Sequence, residues 1–285
     1  MVFTITRALQ EGEQILKNAG IKNYKIEARE ILENLLKKSF EEIFIQKDMS
    51  LKKQTKELFF KKIYKRKNGE PIQYITKISH FYSRVLHISK GVLIPRPETE
   101  ILVEKVLEVF AKKKNISCLD MCSGSGCIGI SLMLENSNFK QVVFVDKSKK
   151  AIDCCRKNLQ TFNLLSKSNL ILSTFFTKIP DRKFDLICCN PPYVSKNQYL
   201  SLEDTVKLYE PKNALVSGNE GYSHIKKIAK ESTNYLKKDA KIFFEVGIGQ
   251  AKHAKEILFN LGYSDLVTYN DLNNIERIVA GKWKN

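Results

Sequence analysis

The chain has no run of 18 apolar residues, so no membrane-spanning helix is expected. Its opening stretch, MVFTITRALQEGEQ, carries acidic side chains and no apolar block. It does not read as a secretion signal, and a cytoplasmic location is expected. Cysteine is present seven times, an odd number, and never as Cys-x-x-Cys, so neither a disulfide scaffold nor a zinc site is expected. Reduced thiols that pack as small hydrophobes fit better. Histidine is scarce: His80, His87, His224 and His253 are dispersed and read as surface or packing residues, and no metal is expected. Internal repeats and low-complexity tracts are lacking as well. Negative charge is the scarcer sign, with 31 Asp and Glu against 48 Lys and Arg, a net charge of +17. A basic surface favours anionic partners such as nucleic acid or proteins that work beside it. Lys-rich composition spread over solvated helix faces gives the same number, and both readings stand.

What is present is an ordinary globular composition, 43% hydrophobic over 285 residues, enough for one large or two modest domains. Residues 1–68 read as a small helical bundle. Leu9, Ile15, Leu16 and Ala19 recur at helical spacing before Gly20, and Ala28, Ile31, Leu32, Leu35 and Leu36 form a second stripe. A third contains Leu58, Phe59 and Ile63. This segment is either a docking module for a macromolecular partner or a packing cap. Residues 69–97 read as a hairpin linker, with alternation through Ser83–Ile88 and then the extended Leu93-Ile94-Pro95-Arg96-Pro97. Residues 98–285 alternate between strand and helix. Strands are expected at Ile116–Met121, Gln141–Val145, Leu170–Leu172, Phe184–Cys189 and Lys241–Val246, and helices at Ile128–Leu134, Lys149–Leu159, Ser223–Leu236 and 250–261. Such alternation predicts a mostly parallel sheet covered by helices, with ligands beyond the carboxyl ends of its strands. Two late strands, 265–269 and 275–281, predict an antiparallel hairpin at the end.

Two rim motifs carry chemistry. The first expected strand runs into Asp120-Met121-Cys122-Ser123-Gly124-Ser125-Gly126, whose glycines let backbone approach a ligand at a helix N-terminus. Gly129 falls within that helix and suits close packing on the sheet. The second strand ends at Asp146, placed to hold the hydroxyls of a ribose. No Gly-Lys-Ser/Thr follows, which excludes an ATP-type phosphate loop. A carboxylate just before the loop, Asp120, is suited to an ammonium group such as that of a methionine moiety, and favours S-adenosylmethionine over a dinucleotide. The second motif is Asn190-Pro191-Pro192-Tyr193. Two prolines stiffen the turn and supply acceptors without N–H donors. A planar NH2 group fits there, bonded to the Asn190 Oδ1 and the Pro191 carbonyl under the Tyr193 ring. Held so, its nitrogen is aimed for in-line displacement at a sulfonium methyl.

Asn190-Pro191-Pro192-Tyr193 resembles the signature of methyltransferases acting on exocyclic or amide nitrogens. Adenine-N6 nucleic-acid methyltransferases share it. Much more of the chain resembles the release factor glutamine methyltransferases, the PrmC/HemK family. The resemblance includes Gly69-Glu70-Pro71-Ile72-Gln73-Tyr74-Ile75, Leu93-Ile94-Pro95-Arg96-Pro97-Glu98-Thr99-Glu100, Tyr209-Glu210-Pro211, Phe244-Glu245-Val246-Gly247 and Glu276-Arg277. It implies the class I S-adenosylmethionine-dependent α/β fold, a Rossmann-like sheet with a C-terminal antiparallel hairpin, plus a small N-terminal helical bundle. It also implies methylation of the amide nitrogen of the glutamine in the Gly-Gly-Gln motif of class I peptide chain release factors. S-adenosylhomocysteine is the product, and neither a nucleic-acid substrate nor a membrane is expected. Carried over by position, the cofactor residues are Cys122, Ser123, Gly124, Ser125, Gly126, Asp146, Phe175 and Asn190. The substrate residues are Asn190, Pro191, Pro192 and Tyr193, with Asn190, Pro191 and Tyr193 the catalytic ones. Three positions depart from the family pattern. Cys122 stands where a glycine usually opens the loop, so the turn is expected to tighten differently. Thr174-Phe175 replaces an Asp-aromatic pair, and Asp271-Leu272-Asn273-Asn274 lacks a usual glycine.

Overall fold

The computed structural model describes residues 3–284. They form two compact units, one from the residues up to Ile78 together with Asp204–Tyr209, the other from Ser79–Glu203 and the residues from Glu210 onward.

The first unit is helical: α1 (Ile5–Asn18), α2 (Tyr24–Leu36), α3 (Phe40–Ile45), α4 (Lys53–Lys67) and α5 (Ile72–Thr76). The Thr4 side chain accepts from the Arg7 backbone N–H and starts α1, and Ser39 with Glu42 forms a reciprocal cap on α3. Leu16, Ile31, Leu32, Phe59 and Ile63 are fully buried and form its core. Gly12 lets α1 lie close to α4, since a Cβ there would meet the Phe59 ring at 2.9 Å. Helix α5 falls within the stretch expected to be hairpin linker. The short helix Asp204–Tyr209 also belongs to this unit, and the Tyr209 hydroxyl donates to the Asn68 carbonyl at 2.9 Å.

In the second unit, β1 (Ile78–Phe81) and β2 (Arg84–His87) make a separate hairpin, whose second strand falls at the alternating Ser83–Ile88 and whose first lies before it. Then come α6 (Thr99–Val109), β3 (Ile116–Met121), α7 (Cys127–Glu135), β4 (Phe139–Asp146), α8 (Lys149–Thr161), β5 (Ser168–Leu172) and β6 (Phe184–Cys189). The chain continues through α9 (Lys196–Leu200), α10 (the Asp204–Tyr209 helix above), α11 (Ser223–Ser232), β7 (Leu236–Glu245), α12 (Ala251–Asn260), β8 (Tyr263–Asn270) and β9 (Glu276–Trp283). The sheet order is β5-β4-β3-β6-β7-β9-β8. The first five strands are parallel, and β9 runs antiparallel to both neighbours. Strands β3 and β6 are buried along almost their whole length because helices cover both faces, whereas β7 is continuously apolar and buried only over Ile242–Phe244. The expected helix over Ser223–Leu236 stops at Ser232, and β7 begins at Leu236 rather than Lys241. Leu236 pairs with Phe184, so ladder bonds to β6 prevail over continued helix there.

Gly129 behaves as its place in α7 predicts: a Cβ would lie 2.5 Å from the Phe144 ring, so only glycine lets α7 settle on β4. At the far end of the sheet, Asn274 supplies the left-handed residue of the β8–β9 turn at φ 61°, where a glycine was missed. The Asp271 carboxylate fixes that turn, accepting from the backbone of Asn273 and Ile275 and from Arg277 Nε.

The lower end of the sheet is tied by Asp185. It accepts from Lys113 Nζ at 2.7 Å, Lys237 Nζ at 2.8 Å, and both the backbone N–H and hydroxyl of Ser117. Burial alone would raise its pKa, but the two ammonium groups and the Ser117 donors hold it well below the usual carboxylate range. A depressed folded pKa contributes stability above the unfolded pKa, roughly 4 for Asp, and that stability is lost as pH falls. Asp185→Ala is therefore expected to cost about 2 kcal/mol at neutral pH, discounted for the half-exposed lysines. The difference from wild type should shrink in urea unfolding at pH 3. Equal penalties at both pH values would contradict the assignment.

Candidate active site

The chain leaves β3 to build β4 and β5 on one side, then crosses to build β6 and β7 on the other. Such a reversal opens a crevice at the carboxyl ends of the central strands. Register decides what meets there: Met121 pairs with Cys189, so the next residues, Cys122 and Asn190, leave the sheet side by side. A cavity lies over this point. Its wall includes Cys122, Ser123, Gly124, Ser125, Asp146, Phe175, Asn190 and Pro192 from the sequence motifs. Leu93, Pro95, Arg96, Thr99 and His224 also line it.

The loop after β3 holds its shape by backbone bonds. Ser123 N–H donates to the Val145 carbonyl and Gly126 N–H to the Ser123 carbonyl. Gly124 (φ 55°) has open space where a Cβ would stand, which leaves room for a ligand against its backbone. Gly126 (φ 82°) does not line the cavity; it backs the loop, with Cys155 Sγ 2.6 Å from a would-be Cβ. Cys122 itself adopts φ 59°, so the turn is not tightened elsewhere: a non-glycine residue occupies the left-handed position. Phe175, which also lines the cavity, does the same at φ 51°. Strain of this kind gathers where a site is held in one shape.

Asp146 ends β4 facing the cavity. Its Oδ2 accepts from Gly124 N–H at 3.0 Å and its Oδ1 from Ser148 N–H at 2.8 Å. Burial pushes its pKa up, against the pull of those two N–H groups and Lys147. Each oxygen keeps a lone pair for a further donor. Asp120 behaves otherwise. It is fully buried beneath the loop, outside the cavity wall, and its Oδ2 accepts from Gly129 N–H at 3.0 Å in the first turn of α7. The expected ammonium contact does not lie on the cavity wall: Oδ2 serves the positive end of a helix, and Oδ1 is buried without a hydrogen-bond partner among the described residues. Burial raises its pKa to about 7.

The Asn-Pro-Pro-Tyr turn is tied from behind. Asn190 Nδ2 donates to Thr99 Oγ1 at 3.0 Å, and the Thr99 hydroxyl donates to Glu245 Oε2 at 2.5 Å. The Tyr193 hydroxyl donates to the other oxygen of Glu245 at 3.2 Å. No hydrogen bond to Asn190 Oδ1 occurs among the described residues. Pro191 and Tyr193 do not line the cavity, and the Tyr193 carbonyl accepts from Gln250 Nε2 at 2.9 Å. The Ile-Pro-Arg-Pro-Glu-Thr block gains a physical reason here. Arg96 pairs with Glu210, whose Oε2 accepts from the Ile94 backbone, while Thr99 reaches Asn190.

His224 is the residue that sequence reasoning missed. Its ring lies edge-on to Phe175 at 5.4 Å, and Ser217 Oγ sits 2.5 Å from Nδ1. That hydroxyl also accepts from the His224 backbone N–H at 2.9 Å, so the same serine holds both the ring and the backbone of His224. Burial first, then Lys147 and Lys227, lowers its pKa. Nothing in the local sequence signalled this, because His224 meets Phe175 only through the fold.

A family model described as the PrmC N-terminal domain matches residues 7–76, and one described as a methyltransferase small domain matches residues 97–220. A release factor glutamine methyltransferase of Clostridium botulinum is 36% identical over 276 residues, covering 96% of this chain and 97% of that one. The chain belongs to the release factor glutamine methyltransferase family. Another member, from Clostridium acetobutylicum, is 33% identical over 277 residues and 97% covered. Among solved structures, a methyltransferase from Pyrococcus furiosus superposes with a TM-score of 0.52 at 16% identity, covering 72% of this chain and 91% of that one. That likeness concerns the fold alone, and it agrees with a class I methyltransferase sheet in this family member. No helix among the described residues is long and apolar enough to cross a membrane.

Proposed function

We propose that the chain transfers a methyl group from S-adenosylmethionine to the side-chain amide nitrogen of the glutamine in the Gly-Gly-Gln motif of class I peptide chain release factors. One observation carries the reading: Asn190, on the cavity wall, has its Nδ2 engaged by Thr99 and its Oδ1 left for a ligand. The cavity residues suit the cofactor. Ser123 Oγ is buried without a hydrogen-bond partner, and Gly124 leaves open space over its backbone. Asp146 retains lone pairs for two ribose hydroxyls, and the Phe175 and His224 rings, edge-on to each other, give the wall apolar surface for a base. Ser125 and Cys122 complete the loop side of the wall, and Gly126 sets its turn.

When bound, S-adenosylmethionine supplies a sulfonium methyl as the electrophile and leaves as S-adenosylhomocysteine. The chain's residues handle the nucleophile. An amide nitrogen is weak because its lone pair is shared with the carbonyl. Asn190 Oδ1 and the Pro191 carbonyl accept its two hydrogens, fix its direction and stabilise the positive charge that develops on it; once the methyl has arrived, the now acidic nitrogen releases one of its protons to solvent. Pro192 lines the cavity together with Asn190, and Tyr193 holds the turn through Glu245. Release factors are the protein partner in this proposal, with no direct nucleic-acid substrate and a cytoplasmic setting.

The test is methyl transfer from labelled S-adenosylmethionine to a purified release factor, beside its Gly-Gly-Gln→Gly-Gly-Ala variant and beside DNA. Label on the unaltered factor alone is expected. Label on DNA, or equal label on the Ala variant, would overturn the proposal.

A further inference from the structure

The sequence marks Asn190 as the acceptor but does not say what decides which end of its side-chain amide faces the cavity. The structure supplies a proton count that does. The Thr99 hydroxyl has one hydrogen, and it is directed at Glu245 Oε2. Its oxygen therefore only accepts from Asn190, which requires the Nδ2 end of the amide. Oδ1 must then point the other way. Glu245 is 1% exposed, and its second oxygen is taken by the Tyr193 hydroxyl, so the same carboxylate fixes both polar residues of the turn.

We propose that Thr99 and Glu245 are positioning residues for methyl transfer, a relay in which the ionised carboxylate orders the Thr99 proton and thereby presents Asn190 Oδ1 to the substrate amide. The inference rests on the function proposed above. If Glu245 carries a proton on Oε2, that O–H donates a hydrogen bond to Thr99 Oγ1 while staying on the carboxyl group, and the Thr99 hydrogen becomes free to bond Asn190 Oδ1. The amide then turns, and an NH2 group faces the substrate NH2. Two donors cannot bond each other, so the acceptor is lost without any change in the fold.

Glu245 is poised for this. Burial raises its pKa to about 7, with Glu98 adding to the rise and Thr99, Tyr193 and Arg277 opposing it. The Cys127 thiol, Asp120 beyond it and Arg96 beside Tyr193 complete the titratable and charged surroundings. Activity is thus expected to rise with pH through about 7, since the deprotonated form is the ordered one. Asp120 titrates in the same range and needs its own control.

The experiment compares wild type, Thr99→Val, Thr99→Ser, Glu245→Gln and Asp120→Asn. Thr99→Val should lower kcat about 10²-fold, with KM for the release factor and Kd for S-adenosylmethionine within about threefold, and Thr99→Ser should restore kcat. Glu245→Gln should abolish the acidic limb of the kcat–pH profile, and Asp120→Asn should keep it. Independently of activity, the Asn190 side-chain NH2 resonances should titrate with the same midpoint in wild type and stay fixed in Glu245→Gln. Wild-type kcat in Thr99→Val, or an acidic limb surviving in Glu245→Gln, overturns the relay. Should Thr99→Val fail to fold, the Glu245→Gln profile and the Asn190 resonances decide alone. If wild type itself labels DNA and not the release factor, the parent proposal fails, whereas the Asn190 titration still reads the relay.

Discussion

Asn190→Ala is expected to lower kcat about 10³-fold, or roughly 4 kcal/mol of transition-state stabilisation, with Kd for S-adenosylmethionine changed by less than about fivefold. The substitution removes Oδ1, one of only two acceptors proposed for the substrate nitrogen. It also removes the donor to Thr99 Oγ1, so nothing replaces the lost orientation. Positive charge appears on the nitrogen only as the methyl arrives. The penalty therefore belongs to the transition state and should leave KM for the release factor nearly unchanged. The fold should survive, because Pro191 and Pro192 keep the turn and β6 ends in the apolar sheet. Single-turnover transfer at saturating cofactor, with calorimetric titration of the cofactor, checks both halves. A variant with wild-type kcat would remove Asn190 from the chemistry.

Asp146→Ala is expected to do the opposite: to raise Kd for S-adenosylmethionine about 10²- to 10³-fold, with partial recovery of rate at high cofactor concentration. Two bonds from an ionised carboxylate to ribose hydroxyls, at roughly 1.5–3 kcal/mol each, account for a change of that size. The Gly124 and Ser148 N–H groups lose their acceptor too, which loosens the loop that faces the cofactor. Because burial raises the Asp146 pKa, wild-type affinity should itself weaken as pH falls and the carboxylate is protonated. Asp146→Asn keeps one acceptor and should fall between. Unchanged affinity in Asp146→Ala would move the ribose elsewhere in the cavity.

The parallel sheet was legible because helices cover both its faces. Strands such as β6 then read as largely apolar runs, interrupted there only by Asp185, and Phe184–Cys189 came out with the bounds observed. The terminal hairpin was legible as two β-rich runs close together, and it forms the antiparallel edge as β8 and β9. Local motifs also exposed Gly124, Asp146 and Asn190, since loop glycines and strand-end acids have meaning within a few residues. What was not legible depends on contacts over long sequence separations. Thr99 meets Asn190 across 91 residues and Glu245 across 146, and His224 reaches Phe175 only once β5 and α11 are assembled. The burial of Asp120 was hidden for a similar reason: its spacing before the loop fits a ligand, but α7 folds over it and Gly129 takes one of its two oxygens. Cys122 shows the limit of a conformational rule: a side chain that packs against the core can hold a left-handed position that sequence statistics reserve for glycine.

The bond from Asn190 to Thr99 has one more consequence, for the number of methyl groups delivered. With Nδ2 engaged behind the turn, the Asn190 side chain offers the cavity an acceptor and no donor. An unmodified amide brings two hydrogens to the two proposed acceptors. A methylated amide brings one, and its new methyl stands where a hydrogen was held. The product loses half of its grip on the turn and presents no correctly aimed lone pair, so a second transfer is disfavoured and dissociation is favoured. Mass spectra of exhaustively treated release factor should accordingly stop at a single added methyl.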